Sequence, residues 1–320
     1  MPRIRVAIIG FGNWGSAIAR IIGANTAKYK DYFEETVKAW VFEEKVDGEN
    51  LTDIINKKHE NVKYLPGVEI PTNVVAVPDL IEVVKDADVL VFVIPHQFVE
   101  NVCTKLQGNV KSTAIAITLI KGLLHQKEGG ILLVSEEIKK YLKIEVAALM
   151  GANLAKEVAN NDFCEATIGC VAGNETRMMW KRLFHTENFQ VNVVDDVVTV
   201  ELCGALKNII ACAAGLSDGL GHGDNTRAAI IRLGFIEVMK FVECFYNVSN
   251  MKVFFESCGI ADLIASCIGG RNRRVCEAFV KANKPFPEVE KEVLKGQSAQ
   301  GPLCAAEASV MIRKAKLESK

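Results

Sequence analysis

A lysine within an apolar helical stretch is the first residue of this sequence that could do chemistry. Lys207 lies in Leu202–Leu216, in which nearly all of the remaining residues are apolar. Burial would remove water from the ammonium group and lower its pKa towards the range in which a general acid or base works. A lysine at the edge of the helix would instead extend its ammonium to solvent. The sequence alone leaves both interpretations open.

A second candidate is a run of two glycines and three arginines at a predicted helix start, Gly269–Arg274. Backbone N–H groups together with the forked guanidinium of Arg271 make a good site for a phosphate group. The alternative is a solvated basic turn. Asp262, a few residues upstream, could orient a lysine ammonium or cap a helix.

Two further polar residues follow predicted strands. Lys121 comes after Ala114–Thr118, and His96 comes after Val89–Ile94. The carboxyl ends of parallel strands border the ligand crevice in open α/β sheets. Lys121 could therefore be a ligand contact or an ordinary surface lysine, and His96 is a rival to Lys207 as the base.

The N-terminal segment Gly10–Gly15 has the pattern G-x-G-x-x-G between a predicted strand and a predicted helix. The first glycine permits a tight turn, the second lets the backbone approach a pyrophosphate, and the third allows close helix packing. The helix N-terminus then faces the phosphate charge with free N–H groups. This pattern predicts dinucleotide binding.

The second predicted strand, Val37–Phe42, is followed by Glu43 and Glu44. An acidic residue at this place contacts the adenosine ribose hydroxyls and would repel the 2′-phosphate of NADP, so we expect NAD. The alternative is a solvated strand end.

These residues need elements to position them. Up to about residue 193, short runs rich in Val and Ile alternate with helical stretches, including a predicted helix over Ile131–Leu142. This alternation is typical of a doubly wound, mostly parallel Rossmann sheet. From Asp195 onwards helical patterns dominate. We therefore predict a dinucleotide-binding domain over residues 1–193 and an all-α domain over residues 194–320.

The composition narrows the class of protein. The chain has 320 residues with 38 basic and 39 acidic side chains, a balance that does not favour a nucleic-acid binder. We expect no membrane span and no signal peptide. The ten cysteines lack a C-x-x-C pair, which indicates reduced thiols in a cytoplasmic protein without a metal site.

Several segments together resemble one family, the NAD-dependent glycerol-3-phosphate dehydrogenases, and most closely its eukaryotic cytosolic branch. The resemblance is carried by Gly10–Ala17, His59–Gly67, Pro95–Phe98, Leu119–Gly122, Met150–Ala155, Cys203–Asn208, Gly223–Thr226 and Gly269–Arg273.

The resemblance implies reversible hydride transfer between NADH and dihydroxyacetone phosphate, giving sn-glycerol 3-phosphate, in a cytoplasmic homodimer. It implies that Lys207 exchanges the proton, that Asp262 holds it, and that Lys121 takes part in catalysis. Substrate contacts implied by the family are Lys121, Asn208, Ser266, Arg271 and Asn272. Cofactor contacts implied by the family are Gly10, Phe11, Gly12, Asn13, Trp14, Gly15, Phe42, Phe98, Ala155, Arg271 and Gln300. His96 then lines the crevice.

The sequence departs from the family at a few positions. Phe11 stands in place of a smaller residue in the glycine loop. Ser266 stands where the family usually has threonine, and Ser298 where it usually has a lysine near the cofactor. Family members also continue beyond the position of Lys320. Two alternatives follow: a reductase for a different carbonyl substrate, and an NAD-binding regulatory paralogue whose catalysis has lapsed.

Overall fold

The computed structural model describes residues 2–125, 131–246, 248, 250–295 and 297–318. The strands are β1 (Val6–Ile9), β2 (Val37–Trp40), β3 (Lys45–Val46), β4 (Glu49–Asn50), β5 (Glu60–Asn61), β6 (Leu65–Glu69), β7 (Val74–Val77), β8 (Val89–Phe92), β9 (Ile115–Thr118), β10 (Leu124–His125), β11 (Ile131–Leu132), β12 (Glu145–Met150), β13 (Cys164–Gly169) and β14 (Phe189–Val194).

The α-helices are α1 (Asn13–Lys28), α2 (Leu51–Lys58), α3 (Leu80–Val84), α4 (Val99–Leu106), α5 (Val134–Leu142), α6 (Ala155–Ala159), α7 (Asn174–Phe184), α8 (Val197–Gly219), α9 (Asp224–Tyr246), α10 (Asp262–Gly269), α11 (Arg271–Ala282), α12 (Phe286–Leu294) and α13 (Gly301–Lys314). Shorter helical turns are His96–Phe98, Met251–Phe255 and the π-helical turn Ser257–Ala261.

The chain forms two compact units. Unit 1 comprises Met1–Ile120, Val134–Leu149 and Asn153–Val197. Unit 2 comprises Lys121–Leu133, Met150–Ala152 and Val198–Lys320. Unit 2 therefore includes two short segments from the first half of the sequence. The domain boundary at residue 193 stays a prediction.

Unit 1 is built on an eight-stranded sheet with the order β14-β13-β12-β9-β8-β1-β2-β7. β1 pairs in parallel with both β2 and β8, and the pairs β2–β7, β8–β9, β9–β12 and β13–β14 are parallel as well. Successive strands run outwards from β1 in both directions, which is the doubly wound arrangement of a Rossmann sheet. The central strands are apolar throughout because helices cover both faces of such a sheet. The predicted fold class is confirmed.

Unit 2 is mainly helical, as predicted, and its long helix α8 is apolar along most of its length. Among the described residues, α8 is the helix long and apolar enough to cross a membrane by length and composition. Most of it is buried inside the protein. A core helix passes the same test, so the indication of a membrane span is weak.

The structure corrects one element. The helix predicted over Ile131–Leu142 begins only at Val134, because Ile131 and Leu132 form β11 and pair antiparallel with β10. The apolar pair at the start of this stretch fits a helix face and a strand equally well. The antiparallel pairing with β10 decides in favour of the strand.

Candidate active site

Lys207 lies at the centre of a buried polar cluster in unit 2. Its ammonium donates hydrogen bonds to Asp262 Oδ1 and to Ser266 Oγ, the latter at 2.8 Å. Lys207 and Asp262 are only 6% and 2% exposed, respectively. Of the two interpretations that the sequence left open, the structure therefore has the buried, paired lysine.

Asp262 is placed by the local shape of the chain. The π-helical turn Ser257–Ala261 runs directly into α10, of which Asp262 is the first residue. Single π-turns of this kind occur often at functional sites. A carboxylate in the first turn is also favoured by the positive end of the helix dipole.

Lys121 joins the same carboxylate from another segment of unit 2. Its ammonium donates to Asp262 Oδ2 at 3.2 Å and to the backbone oxygen of Gly151 at 2.7 Å. Asp262 thus binds one lysine with each carboxylate oxygen. This arrangement holds both ammonium groups in fixed positions.

The surroundings of Lys207 make its proton easier to remove. Burial lowers the pKa of Lys207 to about 8, and the positive charges of Lys121 and Arg271 lower it as well. Asp262 acts in the opposite direction, raising the pKa of Lys207 through its charge and its hydrogen bond. A pKa near the working pH suits an amine that must both give and take a proton.

Asn208 and Asn272 connect α8 to the start of α11. Asn272 Nδ2 donates to Asn208 Oδ1 at 2.8 Å, and Asn272 Oδ1 accepts from the backbone N–H of Gly301 at 2.9 Å. Both side chains are buried. The amide nitrogen of Asn272 carries a second hydrogen that can be donated to a ligand, whereas Asn208 Nδ2 donates to the backbone oxygens of Ala205 at 3.1 Å and Gly204 at 3.4 Å.

Arg271 is the first residue of α11 and is exposed. Its guanidinium donates to Gln297 Oε1 at 2.9 Å. The free N–H groups of a helix's first turn and an adjacent guanidinium together suit a phosphate group. The charge of Lys207 is influenced by two further cations, Lys121 and Arg271, and by one carboxylate, Asp262. This excess of positive charge favours an anionic ligand.

The structure adds an ion-pair network that sequence reasoning missed. Asp218, near the end of α8, accepts hydrogen bonds from Arg273 at 2.7 Å and from Arg227 at 2.8 Å. Both guanidinium groups hold the pKa of Asp218 below its usual value, although burial raises it. Of the Gly269–Arg274 run that the sequence singled out, Arg273 belongs to this network.

The glycine loop of unit 1 has the backbone that its pattern requires. Gly10 has a φ of 106°, a left-handed conformation that favours glycine, and a Cβ there would lie 2.6 Å from the backbone oxygen of Val93. Gly12 caps α1, and a Cβ on Gly12 would meet nothing within 4 Å. The loop therefore has room for a group to approach the helix N-terminus, as a pyrophosphate requires.

A buried asparagine holds this loop in place, and sequence reasoning did not assign it. Asn61 Nδ2 donates to the backbone oxygen of Phe11 at 2.7 Å and to Ser16 Oγ at 2.9 Å. Nearby, Asn13 Nδ2 donates to the backbone oxygen of Tyr64 at 2.8 Å. The ring of Phe11 packs into the core of unit 1, so its bulk is accommodated away from the loop surface.

The other predicted cofactor contacts are divided between the two units. In unit 1, Phe42 is 70% exposed, Phe98 is 51% exposed, and Ala155 begins α6. Both rings are accessible to a ligand, and their role as cofactor contacts stays a prediction. In unit 2, Gln300 donates to Ser298 Oγ at 2.9 Å.

The acidic residues after β2 have protein partners. Glu43 binds the backbone N–H and the hydroxyl of Thr52, and Glu44 binds Lys63 and the hydroxyl of Tyr64. His96 lies in unit 1, where burial lowers its pKa. Its role as an alternative base stays a prediction.

Comparisons with known proteins identify the family of the chain. The family model of the N-terminal region of NAD-dependent glycerol-3-phosphate dehydrogenase matches residues 5–176. The model of the C-terminal region of the same enzyme matches residues 196–320. Together they cover most of the chain.

Individual relatives are similar over almost the whole chain. A probable glycerol-3-phosphate dehydrogenase 2 of Caenorhabditis elegans is 60% identical, with 99% of this chain and 83% of the relative aligned. The cytoplasmic NAD-dependent enzyme of Drosophila melanogaster is 56% identical over 99% of this chain and 87% of its own. The solved structure of glycerol-3-phosphate dehydrogenase from Saccharomyces cerevisiae superposes with a TM-score of 0.93 at 41% identity, covering 99% of this chain and 92% of that one. The chain belongs to the NAD-dependent glycerol-3-phosphate dehydrogenase family.

Proposed function

We propose that this protein reversibly reduces dihydroxyacetone phosphate with NADH to give sn-glycerol 3-phosphate. The observation that carries the proposal is the buried Lys207–Asp262–Ser266 cluster in a chain of this family. The lowered pKa of Lys207 supports a role as proton donor, and the neighbouring positive charges support a phosphorylated substrate.

In this proposal Lys207 gives its proton to the carbonyl oxygen of the ketone during reduction and removes it in the reverse direction. Asp262 holds the ammonium in position. Lys121, Asn208 and Ser266 bind the oxygens of the substrate, and Lys121 also stabilises the charge that develops on the carbonyl oxygen.

The phosphate is held at the start of α11 by Arg271 and Asn272. Their positions beside Gln297 and Gly301 support this role, since each side chain is fixed by a hydrogen bond. The substrate is a dianion at neutral pH, which matches the excess of positive charge around Lys207.

NAD supplies or accepts the hydride when it is bound. Gly10, Gly12 and Gly15 bring the backbone close to its pyrophosphate, as the φ of Gly10 and the open space at Gly12 support. The remaining proposed cofactor contacts are Phe11, Asn13, Trp14, Phe42, Phe98, Ala155, Arg271 and Gln300. The named relatives include cytoplasmic enzymes, and we propose a cytoplasmic homodimer here as well.

The proposal is tested by following NADH oxidation with dihydroxyacetone phosphate, and with unphosphorylated dihydroxyacetone as the matched substrate. We expect turnover that depends on the phosphate. Equal turnover of both ketones would favour a reductase of different specificity. NADH binding without turnover would favour the lapsed regulatory paralogue, which the comparisons do not support.

A further inference from the structure

Ser257 joins the two segments of unit 2 that hold the Lys121 ammonium. Its Oγ accepts a hydrogen bond from the backbone N–H of Ala152 at 3.1 Å. The backbone oxygen of Gly151, the residue before Ala152, accepts from Lys121 Nζ at 2.7 Å. Ser257 also begins the π-helical turn that runs into Asp262, whose Oδ2 accepts from Lys121 at 3.2 Å. Two acceptors of Lys121 thus belong to segments that meet at one serine.

The hydrogen bond to Ser257 sets the direction of the Gly151 oxygen. That oxygen and the N–H of Ala152 belong to one planar, trans peptide group, in which the C=O and N–H bonds point in opposite directions. Glycine leaves the rotation of such a plane unusually free. A partner on the N–H side therefore keeps the oxygen on the other side directed at Lys121.

The position of Ser257 itself is fixed by the turn that it begins. A Cβ on Gly259 would clash with the backbone oxygen of Phe254, so the π-helical turn packs tightly on the turn before it. Val253 and Phe254 are both buried. Ser257 is therefore held by a packed frame and can act as an anchor for the peptide group that follows Gly151.

We propose that Ser257 is a positioning residue: by fixing the Gly151–Ala152 peptide, it keeps the Lys121 ammonium against Asp262 and near Lys207. The consequence for turnover rests on the proposed function, in which Lys121 binds the substrate and stabilises charge on its carbonyl oxygen. The placement of the ammonium does not depend on which reaction the protein catalyses.

Displacement of Lys121 has an electrostatic consequence at Lys207. Lys207 is acted on by the charges of Asp262 in α10, of Lys121 and of Arg271 in α11. Burial lowers the pKa of Lys207 most strongly, and the two cations lower it further, whereas Asp262 raises it. Because the interaction between charges weakens with distance, withdrawal of Lys121 should raise the pKa of Lys207.

The first test compares Ser257→Ala with Ser257→Thr, which retains the hydroxyl. We expect the alanine variant to lose about tenfold or more in kcat/KM for dihydroxyacetone phosphate, as a small misplacement in a site can cause, and the threonine variant to recover most of the loss. Ser257→Cys, in which a weak acceptor occupies a similar volume, should resemble the alanine variant. Ser309→Ala removes a half-buried serine of α13 and should keep the activity of the unmodified protein.

A double-mutant cycle separates positioning from a general structural role. Ser257→Ala is combined with Lys121→Ala, and kcat/KM is measured for the unmodified protein, both single variants and the double variant. If Ser257 acts through Lys121, its substitution costs little once Lys121 is absent, whereas the effects of independent residues add. Full additivity, or an equal loss in the alanine and threonine variants of Ser257, would overturn the proposal.

Carbon-13 NMR supplies a measurement that needs no turnover. Lysines labelled at Cε report their own titration, and Lys207→Ala identifies the signal of Lys207. We expect Ser257→Ala to move the Lys207 midpoint to higher pH and Ser257→Thr to leave it in place. A midpoint that stays in place or falls in Ser257→Ala would also overturn the proposal. If the unmodified protein does not reduce dihydroxyacetone phosphate, the proposed function fails, while this midpoint still decides whether Ser257 places Lys121.

Discussion

At the scale of single residues, the carboxylate of Asp262 connects the polar groups of the candidate site. Asp262 holds the ammonium groups of Lys207 and Lys121 with its two oxygens. A buried charge is tolerated only when it is paired and hydrogen bonded. Burial, and to a smaller extent the charges of Lys121 and Arg271, lowers the pKa of Lys207, whereas Asp262 raises it and keeps the buried ammonium charged.

We predict opposite pH dependences for the two directions of the reaction. Reduction of the ketone needs the protonated amine, so kcat/KM should fall as the pH rises through about 8, the lowered pKa of Lys207. Oxidation of glycerol 3-phosphate needs the neutral amine and should rise over the same range. Rate profiles in both directions check this.

Asp262→Asn provides the matched variant for this prediction. Because Asp262 raises the pKa of Lys207, loss of its charge should move both midpoints to lower pH, in addition to reducing turnover. Midpoints that stay in place would assign the titration to another group.

We predict that Arg271→Ala raises the KM for dihydroxyacetone phosphate by about 10- to 100-fold, the loss of a charge-assisted contact of about 1.5–3 kcal/mol. Steady-state kinetics measure the change. Arg274→Ala removes an exposed arginine from the same helix turn and should leave the KM nearly unchanged. Equal effects of the two variants would contradict a specific phosphate contact at Arg271.

At the scale of elements, α8 and α11 form the frame of the candidate site. α8 carries Lys207 and Asn208 near its middle and Asp218 near its end, and Asn272 and Arg273 bind two of these from α11. The start of α11 is thus fixed to α8 at two points. Loss of either point should alter the site through the position of the helix.

We predict that Asp218→Asn lowers the free energy of unfolding by about 3 kcal/mol, because two arginines lose a buried partner. Urea denaturation measures the loss. Glu237→Gln, which breaks an exposed ion pair with Lys240, is the control and should cost less than about 1 kcal/mol. A similar small change in both variants would contradict the role given to Asp218.

The stabilisation by the Asp218 carboxylate should decrease at acidic pH. The pKa of Asp218 is lowered in the folded protein, so its contribution is fully present above the pKa of an unfolded aspartate, about 3.9. The contribution is lost as the pH falls through the lower, folded value. Asp218→Asn should therefore differ from the unmodified protein less at strongly acidic pH than at neutral pH.

We predict that Asn61→Leu weakens NADH binding by about tenfold, because the glycine loop loses two buried hydrogen bonds at Phe11 and Ser16. NADH fluorescence titration measures the affinity. Asn56→Leu is the control, since Asn56 is hydrogen bonded to the backbone of Ala76 and not to the loop. Equal weakening in both variants would indicate general destabilisation instead.

At the scale of the whole molecule, the sequence predicts the large elements well. Runs such as Val89–Phe92 are apolar throughout because both faces of the sheet are covered, and this signal is visible in the sequence. The two-residue strands β10 and β11 have no such signal, because only their antiparallel pairing defines them.

For the candidate site, the sequence predicts single residues but not the contacts between them. Lys207 and Arg271 have unusual sequence surroundings, whereas the contacts of Asp262 with two lysines depend on segments 55 and 141 residues away.

Asn61 contacts Phe11 and Ser16, which lie 50 and 45 residues away in the sequence, and Asp218 contacts Arg273, which lies 55 residues away. The family resemblance implied roles for nearby residues, such as Phe11, but not for Asn61 or Asp218. The hydrogen bonds of Asn61 and Asp218 are visible only in the folded structure.

We propose that Lys207 exchanges the proton in NADH-dependent reduction of dihydroxyacetone phosphate. The most direct measurement is the turnover of Lys207→Ala together with its affinity for NADH, with Lys240→Ala as the surface control. We predict that kcat falls by about 10³-fold or more, within the range of lost acid–base catalysis, while NADH binds nearly as before. Turnover close to that of the unmodified protein would contradict the account.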